Sequence, residues 1–316
     1  MAYTLVDNPT HATIPQHIID FAVHTAGWLS AGANRISAPG ADAGISFQLE
    51  HTVASTPHQY RTVARLMDAS TTLTTATIAA PYINRVSQSP SKLHLFGGLL
   101  PVPFIAVVVE YAPGFYRHLY LGHMEKLGNY EGGEVICGSH HFVRNWSVNY
   151  NVNEHQYLFS GFQAAWAEGS CGGIRMKHAE VGGTILAPFR ASGTRDLLGT
   201  DFRVNGVFGG YHDHINDQQI VRASNTFAAV QVLVPPNLYL ARPLSRISPI
   251  GRPGGVRLVN MTNLDGAAPI VVGGKTWRCF PQFRKSEQNW VNDSPAPADN
   301  MSSETSFNIG YAYLEG

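Results

Sequence analysis

The most restrictive stretch of this chain is LPVPFIAVVVEYAPG, residues 100–114, followed at once by FYRHLYLGHM, residues 115–124. The first is a Pro-bounded apolar run containing Val107, Val108 and Val109. β-Branched side chains lose rotamer freedom in a helix and pack well on a pleated surface, so the run reads as a buried strand. The second alternates, with Tyr116, His118 and Tyr120 on one side and Phe115, Arg117, Leu119 and Leu121 on the other. Between them Ala112-Pro113-Gly114 supplies turn chemistry. Residues 104–124 are therefore expected to form a β-hairpin, which commits the chain to a sheet that must bury that apolar strand.

Further strands are expected at 142–150, 226–234, 256–261, 269–272 and 307–314, with a weaker Thr-rich candidate at 70–79. Gly pairs at 97–98, 132–133, 172–173, 182–183, 209–210, 254–255 and 273–274 punctuate the intervals. The expected class is mainly β: antiparallel sandwich- or barrel-like sheets, with one or two short N-terminal helices. Thr13 followed by Pro15 predicts a helix over 15–25 with Ile18, Ile19, Ala22 and Val23 inward. Thr56-Pro57 predicts a second, because Tyr60, Val63, Ala64 and Met67 fall at i, i+3, i+4 and i+7. Three regions are expected: a mixed N-terminal part over 1–95, a main β domain over 96–285, and a polar arm with a terminal strand over 286–316.

Composition narrows the function classes. Lys plus Arg and Asp plus Glu are 22 each, and charged residues are 14% of the chain, against roughly 25% in an ordinary soluble domain. The zero net charge argues against nucleic-acid binding, which needs clustered cations. No run reaches the roughly 20 apolar residues of a bilayer span, so no membrane insertion is expected. The opening MAYTLVDNPTHATIPQ lacks the basic and apolar order of a secretory signal, and synthesis in a cytoplasm is expected. Cys137, Cys171 and Cys279 are widely spaced, which suits buried thiols in a reducing compartment.

Fourteen histidines raise the question of chemistry. In GVFGGYHDHIND, residues 206–217, His212 and His214 would share a strand face, as two metal-ligating imidazoles do. A cupin-like metal enzyme would use that pair, but Gln218 and Gln219 stand where its carboxylate is needed, and no His follows His214. GSCGG, residues 169–173, fits a nucleophile elbow at Cys171 without the strand–helix context that gives the motif meaning. Neither GxxxxGK[ST] nor a helix-opening GxGxxG occurs, so no nucleotide is implied. The expectation is a non-enzyme with no cofactor.

The block LPVPFIAVVVEYAPGFYRHLYLGHMEKLGNYEGGEVICGS, residues 100–139, resembles one found in virion structural proteins of tailed bacteriophages. There an apolar strand (here 104–111) turns into an aromatic strand ending in Leu-Gly (116–122), then an aromatic loop closing on small residues (130–133). GGKTWRCFPQF (273–283), a polar Ser-rich loop and FNIGYAY (307–313) resemble the ends of the same proteins. The resemblance implies a virion component at the tail or baseplate, made in the bacterial host cytoplasm. Its partners would be copies of itself and neighbouring tail proteins, and it carries over no catalytic residue. Interface contacts are expected from an exposed ring face formed by Tyr116, His118 and Tyr120, and from Trp290 in the polar arm. A receptor- or carbohydrate-binding module of the same particle is the alternative, with rings stacking on sugars.

Overall fold

The computed structural model describes residues 1–41, 44–55, 58–79, 82–83, 86–112, 114–138, 140–141, 155–156, 173–178, 185–186, 201–204, 232–236, 238–242, 246–281 and 309–316. The chain opens with β1 (Ala2–Asp7) and α1 (Ile14–His24). Pro15 sits in the first turn of α1, where a missing N–H costs nothing. Ile14, Ile18, Phe21 and Ala22 are its buried stripe, and Ile19 and Val23 pack partly buried beside them. The Thr13 side chain does not cap the helix; its hydroxyl bonds the Thr10 carbonyl at 3.1 Å.

Strands β2 (Leu29–Ser30), β3 (Arg35–Ser37), β4 (Ile45–Ser55), β5 (His58–Asp68) and β6 (Thr71–Ala79) form a five-stranded antiparallel meander. The helix expected after Thr56-Pro57 is thus corrected to β5. Its helical spacing coincides with an alternation in which Thr62, Ala64 and Leu66 are all buried. As an inner strand, β5 supplies the backbone partners of both β4 and β6, which a helix would leave unmet.

After the short pair β7 (Tyr82–Ile83) and β8 (Val86–Ser87) come β9 (Lys92–Gly98), β10 (Phe104–Ala112), β11 (Phe115–Lys126) and β12 (Gly132–Gly138). They form the middle of a ten-stranded sheet in the order β1-β9-β10-β11-β12, and the expected hairpin is β10–β11, with Val108 opposite His118. Later strands are β13 (His140–His141), β14 (His155–Gln156), β15 (Gly173–His178), β16 (Ile185–Leu186), β17 (Asp201–Val204), β18 (Leu238–Arg242) and β19 (Arg246–Pro253). β13 and β14 pair with each other. β15 and β16 extend the large sheet beyond β12, while β17–β19 join it where β19 meets the far end of β11. The chain closes with β20 (Val256–Asn260), β21 (Ala268–Val272), β22 (Lys275–Pro281) and β23 (Ile309–Leu314), a four-stranded sheet ordered β20-β23-β22-β21.

The layers follow from alternation along the central strands. Phe104, Ala106, Val108, Tyr116, Tyr120 and Met124 join a core with Leu258, Phe280, Tyr311 and Tyr313 of the C-terminal sheet. Ile105, Val107, Val109, Phe115, Leu119 and Leu121 join a second core with α1 and the meander. The central hairpin is therefore covered on both faces, which is why its strands read as almost continuous apolar runs. The expected boundary at 95/96 falls inside β9, which pairs with β1 on one side and β10 on the other. The terminal strand expected as part of a separate 286–316 region instead lies between β20 and β22. The strand expected over 142–150, and that over 226–234 apart from 232–234, lie outside the described residues.

Gly138 marks how closely two of the layers approach. A Cβ there would stand 2.6 Å from the Thr77 carbonyl oxygen of β6, a backbone atom that cannot swing aside. Gly138→Ala is expected to destabilise the protein by about 1–3 kcal/mol through overpacking, read as a lowered urea midpoint; an unchanged midpoint would show that the layers separate freely.

Candidate functional site

The hairpin residues singled out from the sequence do share one face of β11, but that face is not exposed. Tyr116 is 3% exposed, and His118 and Tyr120 are 0% exposed, because the C-terminal sheet covers them. Their expected role as an exposed contact surface is corrected accordingly. Trp290, His212, His214 and Cys171 lie outside the described residues.

What these residues build is a polar seam through an aromatic core. His118 Nδ1 lies 2.9 Å from the Tyr313 hydroxyl, and Nε2 lies 2.9 Å from the Pro281 carbonyl oxygen. A carbonyl only accepts, so Nε2–H donates to it and Nδ1 accepts from the Tyr313 O–H. In the neutral ring this is a single tautomer with both nitrogens satisfied. The Tyr120 hydroxyl donates to the Gly254 carbonyl at 2.9 Å. Phe280 lies edge-on to Tyr116 at 5.3 Å, and Phe96 stacks on Tyr313 at 5.3 Å, both within the range of favourable aromatic pairs. Burial drives the phenols of Tyr120 and Tyr313 well above their ordinary pKa, so both remain neutral hydroxyl donors.

A second polar group lies on the same face of β9 and β10. The Tyr3 hydroxyl is 3.0 Å from His94 Nδ1, and Glu110 Oε2 lies 3.9 Å from His94 Nε2 and 3.8 Å from Lys92 Nζ. Both of these distances are too long for hydrogen bonds. The Gly114 N–H donates to Glu110 Oε1 at 3.4 Å. Burial alone would raise the Glu110 carboxyl pKa, but His94, Lys92 and the Gly114 amide together hold it below its ordinary value. Sequence reasoning missed this group, although a lone Glu inside VVVEY was a sign of a buried, paired carboxylate.

The two described thiols are buried. Burial pushes Cys137 well above its ordinary pKa and Cys279 up to about 12, so both remain protonated. Among the described residues no group of three or more His, Cys, Asp or Glu could hold a metal ion. No helix among them is long and apolar enough to cross a membrane. The chain matches no protein-family model and no curated protein.

His118→Phe is expected to cost about 1–3 kcal/mol, because it leaves the Tyr313 hydroxyl and the Pro281 carbonyl buried without their partner. A double-mutant cycle with Tyr313→Phe, read by urea denaturation, should give a coupling of about 1 kcal/mol; strict additivity would remove the bond from the account. Glu110 makes a pH prediction. Its folded pKa lies below the ordinary 4.5, so its stabilisation is present above the unfolded value and lost as pH falls through the folded one. Glu110→Gln should flatten the acid limb of the stability–pH curve below about pH 4.5. An unchanged limb would place the acid sensitivity elsewhere.

Proposed function

We propose that this chain is a structural component of a tailed-phage particle, placed in the tail or baseplate, which works by assembling with itself and with neighbouring virion proteins. One observation carries the reading. The two separate segments that resemble phage structural proteins, 100–139 and 273–283 with 307–313, come together as the two walls of one core. β11 faces β22 and β23 there through His118–Tyr313, His118–Pro281 and Tyr116–Phe280. His118 and Pro281 are 163 residues apart in sequence, yet their segments behave as one packing unit.

The chemistry of the core supports a mechanical role. The His118 imidazole, the Tyr120 and Tyr313 hydroxyls and the Glu110 carboxylate are committed to neighbours that tie strands together. Hydrogen bonds such as His118–Tyr313 and Tyr120–Gly254 specify one alignment of two sheets more than they serve turnover. A chain with 14% charged residues also suits a surface that meets other subunits. The glycan-binding alternative loses its main support, since the hairpin rings are packed inside.

Antibodies against the recombinant chain should label intact particles at one fixed position along the tail, and mass spectrometry of gradient-purified particles should recover the protein with the other tail components. Its absence from purified particles would overturn the reading.

A further inference from the structure

We propose that four aromatic rings in series, His51, Tyr60, His11 and Tyr111, form an acid-sensitive clasp that holds the turn before α1 onto the meander and the central hairpin. The clasp is closed while the imidazoles are neutral and opens when they take up protons. It acts within the isolated chain and does not depend on the assembly reading.

The rings come from four separate segments. His11 lies in the turn that leads into α1, His51 on β4, Tyr60 on β5 and Tyr111 on β10. His11 stacks with Tyr60 at 4.7 Å and with Tyr111 at 5.8 Å, and Tyr60 stacks with His51 at 5.7 Å. The pleat accounts for the pair on the meander. His51 lies opposite Thr62 and Val53 opposite Tyr60, so His51 and Tyr60 are diagonal neighbours on one face. Phe47, Leu49, Ala64 and Leu66 of that face are core residues, and the ladder continues their core toward the β4–β5 turn.

A hydrogen bond fixes where a proton can enter. His11 Nε2 lies 2.8 Å from the Gln88 carbonyl oxygen, which only accepts, so Nε2–H donates and Nδ1 holds the lone pair of the neutral ring. A second proton must enter at Nδ1 and charge a ring stacked on two phenols. Among the described residues no carboxylate pairs with either imidazole of the ladder. The ionisable groups facing His11 are His51, Tyr60 and Tyr111, and Arg117 of β11 acts on Tyr111 in turn. Glu50, Arg61 and Arg65 lie on the opposite face of the meander, and Glu110 on the opposite face of β10. Asp7 and His17, which flank His11 in sequence, make no ion pair with it.

Two of those facing groups, His51 and Arg117, carry or acquire positive charge, so acid adds like charges to the ladder. His51 has in addition a buried Nδ1 with no hydrogen-bond partner among the described residues. The Gln88 carbonyl favours a charged His11, but burial outweighs it and His51 opposes the charge further, so the His11 pKa lies below its ordinary 6.5. Attraction of a cation to phenol faces works the other way, but it is strong only for a fully desolvated cation, and His11 is half-buried. With the folded pKa depressed, the open form takes up the proton first. The clasp keeps its full strength above about pH 6.5 and loses it as pH falls from there through the folded value.

The test uses the full chain. The Asn8 N–H donates to the Ser91 carbonyl at 2.8 Å, joining the same two segments that carry His11 and Gln88, so its hydrogen exchange reports the clasp. Corrected for intrinsic exchange, its protection should fall at least about threefold between about pH 7.5 and about pH 5.5, while amides of β22 and β23 keep theirs. In His11→Phe, which keeps a ring in the ladder and cannot charge, the fall should vanish. Histidine-selective NMR titration should place His11 below 6.5, and His51→Phe, which removes the like charge, should raise that value. A His11 pKa at or above 6.5, Asn8 protection unchanged across the titration, or a fall that persists in His11→Phe would each overturn the proposal. Equal loss of protection in β22 and β23 would overturn it too, because the whole fold rather than the clasp would then be acid-sensitive. Should His11→Phe fail to fold, the exchange of the unaltered chain and the His51→Phe titration still decide.

Discussion

Burial of the β10–β11 hairpin on both faces is the constraint on which the other layers depend. Ile105, Val107 and Val109 face α1 and the meander, while Phe104, Ala106 and Val108 face the C-terminal sheet. Neither outer layer could leave without exposing a full row of these side chains to water, at about 25 cal/mol per Å² of apolar surface. The hairpin therefore organises a sandwich of three layers. The close approach of β12 to β6 at Gly138 is one local consequence.

The two central faces differ in chemistry. Toward the meander the contacts are largely aliphatic, with the charge of Arg117 buried among them, its guanidinium carbon 4.9 Å above the Phe115 ring. Toward the C-terminal sheet the core is aromatic and threaded with hydroxyls and imidazoles. Aliphatic packing tolerates sliding by small amounts, whereas a hydrogen bond such as His118–Tyr313 has one length and one direction. The polar seam thus fixes the register of the C-terminal sheet over the central one, and that sheet is assembled from segments far apart in the chain, β20–β22 and β23.

Much of this architecture was legible in the residues. The run of valines, the alternation of FYRHLYLGHM and the turn at Pro113-Gly114 define β10–β11, because period-two patterning and turn chemistry are local properties. The same holds for α1 and for the strands at 256–261, 269–272 and 307–314. β5 was misread because Tyr60, Val63, Ala64 and Met67 satisfy a helical spacing, and short apolar segments fit both periods until their hydrogen-bond partners are known.

The sequence by itself determined which side chains share a face: Tyr116, His118 and Tyr120 were on one side of a strand before any fold was known, since alternation is built into the pleat. Only the tertiary structure decided whether that face meets water or another sheet. That depends on β22 and β23, whose Pro281 and Tyr313 lie 163 and 195 residues beyond His118, and no local pattern encodes so distant a contact. The same rings that would mark a contact surface on an open sheet become, under the C-terminal sheet, the polar thread of a core.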